Sequence, residues 1–377
     1  MGKKKIGIIF GETYGWAGGF YYVLNLIKSL NYLPESEKPA LVVFYEDDKT
    51  IKIVQELRYP FVQFLPINKK ATVWEQRLLK IANKFGIKNI IQPLLYSENV
   101  VEIALPNNFG SKFPSLARIH RAYWIPDFQH KYYPENFAST ELLFREENTN
   151  NIVAHKFPLI LSSQSAARDF NRFYPEAKNL VHVFPFCSLL TDFQPVEIDS
   201  YLSDRGISGR YFISPNQFWK HKNHIVVLKA AKILKDRGVN VCILFTGNEA
   251  GNEEYVSGLK QYVEDNGLGE KVKFLGFLDR NVQLSLIQHA QAVIQPSLFE
   301  GWSTVVEDAK ALGKYVIASN LEVHMEQLVS GADFFDPLNE EELADLLEQN
   351  WNVAMKVSKL DYNQHVIDFA RKIVSIL

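Results

Sequence analysis

The stretch from Ser297 to Gly313 constrains the fold of this chain more strongly than any other part of the sequence. It follows the apolar run Ala292–Ile294, passes through a loop that contains Glu300, and enters a segment whose apolar residues have helical spacing. Open α/β sheets bind ligands where a strand ends and the next helix begins, because the free amides of the first helical turn attract anions. An acid just before such amides indicates a ligand that is part phosphate and part hydroxyl-rich, as a nucleotide-sugar is.

The same order of apolar strand, polar loop and helix recurs along the chain. The predicted strands are Lys5–Phe10, Leu41–Tyr45, Asn89–Gln92, Ser115–His120, Pro158–Ser163, Leu180–Pro185, Tyr211–Ile213, Val239–Phe245, Val272–Leu275, Ala292–Gln295 and Tyr315–Ala318. Because 377 residues are too many for one ordinary core, two successive α/β series predict two domains. We expect an α/β fold with two Rossmann-like, doubly wound domains, residues 1–195 and 205–354, that face each other across a cleft.

Bulk properties narrow the class of protein. The formal net charge of -2 argues against nucleic acid as a partner. Cys187 and Cys242 have no metal-ligand spacing, which favours two small buried side chains in a reducing cytoplasm. The first residues are too short an apolar run for a signal peptide, so we expect a cytoplasmic protein. The basic groups Lys3–Lys5 and Lys69–Lys70 fit either a solvated surface or peripheral contact with an anionic membrane.

Two loops of the first half carry candidate ligand groups. Residues 11–19 are rich in glycine, and Gly18 and Gly19 would let the backbone approach a ligand closely. A simple tight turn is the alternative, and the spacing does not match the G-x-G-x-x-G pattern of dinucleotide sites. Acids at Glu46–Asp48 could hold a divalent metal, but the neighbouring Lys49 favours a solvated strand end.

An acid and a histidine stand among aromatic residues between Trp124 and Tyr133. Asp127 and His130 could act on a sugar ligand, since a histidine can polarise a hydroxyl near neutral pH. The alternative is structural: Asp127 caps the next turn and His130 forms a hydrogen bond in the core.

Several motifs, taken together and in order, resemble a known family. The segments FISPNQFWKHKNH, FTGNE, VKFLGFL, QPSLFEGWSTVVEDAKALGK and FFDPLNEEEL resemble the second domain of retaining GT-B glycosyltransferases of glycosyltransferase family 4. WIPDFQHKYYPE and the Gly18–Gly19 loop resemble first-domain motifs of one bacterial branch of that family. The resemblance implies transfer of a hexose from a UDP- or GDP-sugar to a glycan or glycolipid hydroxyl with retention, in bacterial surface polysaccharide synthesis. Since no pair of acids stands where a metal could bridge a diphosphate, we expect no metal requirement, and we expect no cofactor beyond the donor. Residues 355–377 have helical periodicity, and the resemblance implies that this helix packs back on the first domain.

The resemblance assigns roles to individual residues. Glu300 would face hydroxyls of the donor sugar and Lys222 the diphosphate, with Gln217 standing where the family usually has an arginine. Asp308, eight positions after Glu300, would bind the ribose; Glu307 is the alternative, although its place after Thr304 fits a capping box. Asp127 and His130 would lie on the acceptor side and take part in catalysis. The remaining donor-site assignments are Gly18, Gly19, Gly247, Gly276, Phe277, Leu278, Gly301, Trp302, Ser303 and Thr304.

Other functions remain open at this point. A GT-B epimerase would release its product without an acceptor, whereas a phosphorylase would need a cofactor lysine site that the sequence does not display. A non-catalytic nucleotide-sugar-binding subunit is suggested by Gln217 and Asp308, the two departures from the family pattern.

Overall fold

The computed structural model describes residues 3–10, 17–45, 48–66, 73–85, 101, 103–107, 120–358 and 360–377. The chain divides into two compact units: residues 1–187 with 363–377, and residues 188–362. Each unit is built on a parallel sheet, because the strands are short apolar runs separated by helices. In the part of the chain that the structure describes, no helix is both long and apolar enough to cross a membrane.

The described strands of the first unit form one parallel sheet in the order β3-β2-β1-β4-β5-β6-β7. Their bounds are β1 (Lys5–Phe10), β2 (Ala40–Tyr45), β3 (Val62–Pro66), β4 (Ile103–Asn107), β5 (Arg121–Ile125), β6 (Leu159–Leu161) and β7 (Val181–Val183). The helices are α1 (Ala17–Leu30), α2 (Asp48–Glu56), α3 (Val73–Lys84), α4 (Gln129–Tyr132), α5 (Ser139–Ala154), α6 (Gln164–Phe173) and the C-terminal α14 (Tyr362–Val374), whose first residue belongs to the second unit.

Several expectations for the first half need correction. Gly18 and Gly19 lie in the first turn of α1 and not in a loop, because the apolar pattern of the helix already begins there. The predicted polar loop at Trp124 begins later, since Trp124 and its neighbour Ile125 are buried residues of β5. The predicted strand Asn89–Gln92, most of Ser115–His120, the pair Glu46–Asp47 and Lys69–Lys70 lie outside the described residues.

The C-terminal helix α14 is part of the first unit from Asn363 onwards. It buries Val366, Phe369, Ala370 and Ile373, which recur at helical spacing on one face. At its end, Arg371 pairs with Glu37, and Lys4 donates a hydrogen bond to the carbonyl of Leu377 at 3.0 Å. The helix therefore closes the first unit with residues from the far end of the sequence.

The second unit has a parallel sheet in the order β10-β9-β8-β11-β12-β13. Its strands are β8 (Phe212–Ser214), β9 (Ile243–Phe245), β10 (Val272–Phe274), β11 (Val293–Gln295), β12 (Val316–Ser319) and β13 (Ala332–Phe335). Its helices are α7 (Asp199–Ser203), α8 (His224–Asp236), α9 (Glu253–Asp265), α10 (Arg280–His289), α11 (Thr304–Ala311), α12 (Glu322–Gln327) and α13 (Glu340–Trp351). Five of these strands were predicted; β13 was not.

Helices cover both faces of this second sheet. Phe212 and Ile294 point into one apolar core, whereas their neighbours Ile213 and Val293 point into another. Strand side chains alternate between the two faces, so apolar residues at successive positions require a cover on each side. The direction of winding reverses between β8 and β11, and such a switch point is where doubly wound sheets bind ligands.

Candidate active site in the second unit

Two loops meet at the switch point, one after β8 and one after β11. The first forms a 3-10 turn at Lys220–Lys222, and the second contains Ser297–Gly301. They are tied together, because Leu298 donates a main-chain hydrogen bond to the carbonyl of His221 at 2.7 Å. Asn223, at the start of α8, also donates to the carbonyl of Pro296 at 3.1 Å. The two loops therefore hold their side chains in one fixed arrangement.

Lys222 and Glu300 form an ion pair at this junction. The ammonium of Lys222 lies 2.5 Å from Oε1 of Glu300, and the two side chains are only 14% and 8% exposed. The same Oε1 accepts hydrogen bonds from Gln295 and from the hydroxyl of Ser297, both at 2.7 Å. Among the described residues, no hydrogen bond is recorded to Oε2 of Glu300, so this oxygen remains available as an acceptor.

The charges around the pair decide its protonation. Burial by itself would raise the pKa of Glu300, but the charge of Lys222, the neighbouring imidazoles of His324 and His221 and the hydrogen bond from Lys222 together outweigh burial and bring the pKa below its ordinary value. Burial, with the charge of Lys222 and against the opposing charge of Glu300, lowers the pKa of His221 to about 4. Burial also lowers the pKa of His324, which is fully buried beyond the end of β12. At neutral pH the junction thus holds one cation, one anion and neutral imidazoles.

Helix α11 begins directly beside this pair. Ser303 is its N-cap, and the hydroxyl oxygen accepts the amide hydrogen of Val306 at 3.3 Å. Gln327 holds the main chain of Ser303 from both sides, since it accepts from the amide at 3.2 Å and donates to the carbonyl at 2.8 Å. The next residue, Thr304, is exposed. The amino end of α11 is therefore rigidly placed and open to an anion.

Glu307 does not form the capping box that the sequence suggested. Its side chain is fully buried and accepts hydrogen bonds from Lys310 at 2.7 Å, from Gln327 at 2.9 Å and from the hydroxyl of Tyr362 at 2.7 Å. A capping box with Thr304 as the N-cap would bring the Glu307 carboxylate to the amide of Thr304, but the N-cap of α11 is Ser303, so the third helical position is Val306 and not Glu307. The capping-box prediction was wrong because the helix begins one residue earlier than the sequence suggested.

Asp308 is buried and bound by an arginine. Arg280 donates to its two carboxylate oxygens at 2.6 and 2.5 Å, in a two-pronged arrangement. The hydroxyl of Ser188 donates to the same carboxylate. A ribose at Asp308 would therefore have to share these oxygens with Arg280 or displace it.

The loops after β9 and β10 lie next along the sheet. The amide of Gly247 donates to the carbonyl of Gly276 at 2.9 Å, which joins the two loops. A Cβ atom on Gly247 would lie 2.1 Å from the carbonyl oxygen of Asn216, so close packing demands glycine here. Gln217 accepts the amide hydrogen of Asn248 at 3.1 Å, and Phe277 is 75% exposed.

The structure brings together most of the predicted donor-site residues of the second unit. Gly301 and Trp302 are buried between Glu300 and the start of α11, and Leu278 is half-buried at the end of its loop. In the described part of the chain, no group of three or more His, Cys, Asp or Glu side chains is arranged to hold a metal ion.

The acid and histidine of the first unit form a separate cluster. Asp127 accepts the amide hydrogen of Gln129 at 2.9 Å and so caps the start of α4, one of the two roles considered for it. His130 is buried beside Phe128 and Phe137, and within the described residues neither ring nitrogen has a hydrogen-bond partner. The core hydrogen bond considered for His130 is therefore absent. Burial, followed by the charges of nearby Arg145 and Lys131, lowers its pKa to about 4.

Six residues that form hydrogen bonds to the site residues of the second unit were not identified as functional from the sequence. They are Ser188, Arg280, Gln295, Ser297, Gln327 and Tyr362. Gln295 had a signal, because it is a polar residue that ends an otherwise apolar strand. Ser297 also had a signal, because it stands in the same polar loop as Glu300. The other four contact the site from distant parts of the chain, and no local pattern marks them.

Comparison with known proteins places these features in a family context. Residues 206–363 match the family model described as Glycosyl transferases group 1. The O-antigen chain mannosyltransferase RfbU of Salmonella typhimurium is 31% identical over 146 residues, which make up 39% of this chain and 37% of that protein. The chain thus spans little more than a third of the length of that relative.

Solved structures match over nearly the whole chain. A glycosyltransferase from Rickettsia africae has a TM-score of 0.63 at 15% identity, covering 100% of this chain and 94% of its own. HepE from Anabaena, solved with UDP and glucose, has a TM-score of 0.61 at 18% identity, covering 99% and 95%. At these identities the likeness concerns the fold, so the predicted class of two Rossmann-like α/β domains of the GT-B type is confirmed.

Proposed function

We propose that the chain is a retaining hexosyltransferase of glycosyltransferase family 4 that uses a UDP- or GDP-sugar as donor and a glycan or glycolipid hydroxyl as acceptor. The observation that carries the proposal is the Lys222–Glu300 pair at the switch point, beside the amino end of α11. An ammonium suits a diphosphate, whereas a carboxylate accepts hydrogen bonds from hydroxyls. One site thus offers both kinds of group that a nucleotide-sugar requires.

The relatives support this substrate class. The group 1 family match covers the unit that holds the pair, and the Salmonella relative is a mannosyltransferase of O-antigen chains. The Anabaena structure was solved with UDP and glucose. We therefore place the chain in the synthesis of bacterial surface polysaccharide, with a nucleotide-sugar donor and no further cofactor.

The proposed reaction breaks the bond between the anomeric carbon and the diphosphate oxygen. The acceptor oxygen bonds to the same face of the sugar, and its proton passes to the departing diphosphate. Lys222 leaves Glu300 to bind the diphosphate, together with the amides at the start of α11, so that the developing negative charge is stabilised. Glu300 stays oriented by Gln295 and Ser297 and accepts hydrogen bonds from sugar hydroxyls.

We assign further residues to the parts of the same nucleotide-sugar donor and to the acceptor. Ser303 and Thr304 would hold the diphosphate, and Asp308 would bind the ribose if Arg280 yields one carboxylate oxygen. The group that would surround the base and complete the donor site is Gln217, Gly247, Gly276, Phe277, Leu278, Gly301 and Trp302. In the first unit we assign Asp127 and His130 to the acceptor side, and the backbone at Gly18–Gly19 to ligand contact.

The test is turnover of UDP- and GDP-hexoses by the purified protein, measured as released nucleotide and transferred sugar. Glu300→Gln and Lys222→Ala should each lower the rate by ~100-fold or more, as expected for lost transition-state contacts. A matched control exists in the exposed pair of Lys229 and Glu340, which are 3.3 Å apart on α8 and α13. Lys229→Ala should keep wild-type rates; equal losses in the two lysine variants would reject the site.

Metal independence is tested separately. Lys222 and the helix amides supply the positive charge that a divalent ion supplies in other enzymes. Turnover should therefore persist in excess chelator. Complete loss that manganese restores would reject this part of the proposal and leave the donor class intact.

A second candidate is a subunit that binds a nucleotide-sugar without turning it over. Two observations favour it: Gln217 provides no charge, and both oxygens of Asp308 are held by Arg280. Such a protein would bind UDP or GDP with measurable affinity and show neither transfer nor donor hydrolysis with any acceptor. Detected transfer of labelled hexose would exclude it.

An exposed stripe on α3 supports peripheral membrane contact for a lipid-linked acceptor. Its four large apolar side chains recur at helical spacing and are 41% to 74% exposed: Trp74, Leu78, Ile81 and Phe85. Arg77, Lys80 and Lys84 are exposed on the adjoining face. An apolar stripe edged by basic residues is typical of helices that lie in an anionic lipid surface.

Vesicle sedimentation tests this contact. Wild-type protein should bind vesicles of anionic phospholipid and not neutral ones, and the pair of changes Trp74→Ser and Phe85→Ser should abolish binding. Leu338→Ser, at a similarly exposed apolar residue of the second unit, serves as the control and should bind like wild type. Undiminished binding by the α3 variant would reject the stripe as the contact surface.

A further inference from the structure

The two segments that connect the units are both hydrogen-bonded to helix α11. The chain passes between the units at Cys187–Ser188 and again at Tyr362–Asn363. The amide of Ser188 donates to the hydroxyl oxygen of Tyr362 at 2.7 Å, and the side chain of Ser188 donates to Asp308. The hydroxyl of Tyr362 in turn donates to Glu307 at 2.7 Å. The two connecting segments are thus fastened to each other and to successive residues of α11.

The hydrogen bonds continue from there to the candidate donor site. Glu307 accepts from Gln327, which binds both the amide and the carbonyl of Ser303. Ser303 is the N-cap of α11, at the end of the helix that faces the proposed diphosphate. An unbroken series therefore runs from Ser303 through Gln327, Glu307 and Tyr362 to the amide of Ser188.

The burial of this series makes it stiff. Ser303, Glu307 and Gln327 are each at most 3% exposed. A buried carboxylate that loses a partner is costly, because no water replaces the lost hydrogen bond. Because solvent cannot substitute for a lost partner inside the series, we expect the displacement of one member to disturb the next.

We propose that Tyr362 is a positioning residue through which ligand binding at Ser303 is coupled to the two segments that connect the units. The inference rests on the proposed function, since it takes the donor diphosphate to bind at the amino end of α11. It gives the carboxylates of Glu307 and Asp308 a second task, which is to hold the connecting segments. Coupling is reciprocal, so loosening the connection must also weaken nucleotide binding.

Hydrogen exchange of the full-length protein, with and without saturating UDP or GDP, measures the coupling at Ser188 directly. The amide of Ser188 is the donor in the series, and its exchange rate reports whether the hydrogen bond to Tyr362 is closed. We expect the nucleotide to slow exchange both at residues 303–306 and at Ser188. Tyr362→Phe should abolish the effect at Ser188 and weaken nucleotide affinity about 5-fold, the worth of one hydrogen bond.

Two further variants separate coupling from mere stability. Tyr211→Phe removes the hydroxyl of a different tyrosine of the same unit, which is buried and donates a hydrogen bond to the carbonyl of Leu286 at 2.8 Å. This control should keep the nucleotide effect at Ser188 and the wild-type affinity. Gln327→Met cuts the series at its other end and leaves Tyr362 in place; it should abolish the nucleotide effect at Ser188 even if Tyr362→Phe fails to fold.

The outcomes distinguish this inference from the function on which it rests. If UDP or GDP protects residues 303–306 but leaves Ser188 unchanged, or if Gln327→Met retains the effect, the coupling is refuted and the donor site stands. If neither nucleotide slows exchange anywhere in residues 188–362, the proposed function and the coupling both fail.

Discussion

Replacing Lys222 with methionine should reverse the way in which pH acts on Glu300. In the wild-type protein the charge of Lys222 holds the pKa of Glu300 below its ordinary value. A carboxyl whose folded pKa is depressed contributes stability above its unfolded pKa, about 4.3, and that contribution is lost as the pH falls through the folded pKa. Between pH 5 and 8 the pair therefore stabilises the wild-type protein fully and evenly.

Lys222→Met leaves Glu300 only 8% exposed, with Gln295 and Ser297 as its neutral donors. Burial now dominates and raises the pKa of Glu300 above its unfolded value, so the sign inverts. Stability is retained at low pH, where the acid is neutral in both states, and falls as the pH rises toward the folded pKa. We expect a loss of about 3 kcal/mol at pH 8, typical of a broken buried pair, and a loss about 1–2 kcal/mol smaller at pH 5.

The free energy of unfolding is measured in urea at pH 5 and at pH 8. Three proteins are compared: wild type, Lys222→Met and the double variant Lys222→Met/Glu300→Gln. The double variant has no carboxyl to titrate, so its loss relative to wild type should be nearly the same at both pH values. Lys229→Met is the control, because its pair with Glu340 is exposed and should contribute only about 0–1 kcal/mol. The reasoning is refuted if Lys222→Met loses no more stability than Lys229→Met, or if its loss is independent of pH.

Three further predictions concern single positions. Gly247→Ala should destabilise the protein by about 2–4 kcal/mol, because its Cβ would lie 2.1 Å from the carbonyl oxygen of Asn216. Gly258→Ala is the control: a Cβ at this position of helix α9 would contact nothing within 4 Å, so the change should stabilise the protein by about 0.5–1 kcal/mol. Thermal unfolding of both variants measures the difference. If Asp308 binds ribose, calorimetry should show that wild-type protein binds UDP ~10-fold more tightly than 2′-deoxy-UDP, and Asp308→Asn should lose most of this difference in affinity. The same difference in both proteins would show that Asp308 does not bind ribose. Burial lowers the pKa of His130 to about 4, so the neutral imidazole stabilises the fold above the unfolded pKa of about 6.5, and this contribution is lost as the pH falls toward 4. In His130→Leu the free energy of unfolding should therefore fall by up to about 3 kcal/mol less than in wild type between pH 7 and 4. An unchanged acid unfolding transition would contradict a buried, neutral His130.

The sequence was most informative where a single local pattern decided the structure. Strands β8, β9, β11 and β12 are short, mostly apolar runs that are buried throughout, and such runs are visible without tertiary information. Strand β3 was missed because its residues are only half-buried or exposed and show no continuous apolar signal. The start of α1 was misplaced because glycines suggest loops, whereas here Gly18 and Gly19 occupy a helical turn.

Within the candidate site, local and long-range information separate clearly. Glu300 could be singled out because it follows an apolar strand, whereas Lys222 was identified through the family resemblance. Their meeting follows from parallel strands that end at one edge of a sheet. The partners of Glu307 and Asp308 could not be predicted in this way. Arg280 and Tyr362 reach them from 28 and 55 positions away, and only the folded arrangement of helices brings those side chains together.

The pairing of Lys222 with Glu300 also sets a requirement on any molecule that enters. A ligand that offers negative charge alone would bind the Lys222 ammonium and leave the buried Glu300 carboxylate without its cation, which is unfavourable where little water is present. A ligand that offers hydroxyls alone could bind the free Oε2 of Glu300 but would give the ammonium no anion in exchange for the carboxylate. A compound that carries both functions on one skeleton compensates both partners at once, so we expect free phosphate and free sugar to bind more weakly than a molecule that joins the two.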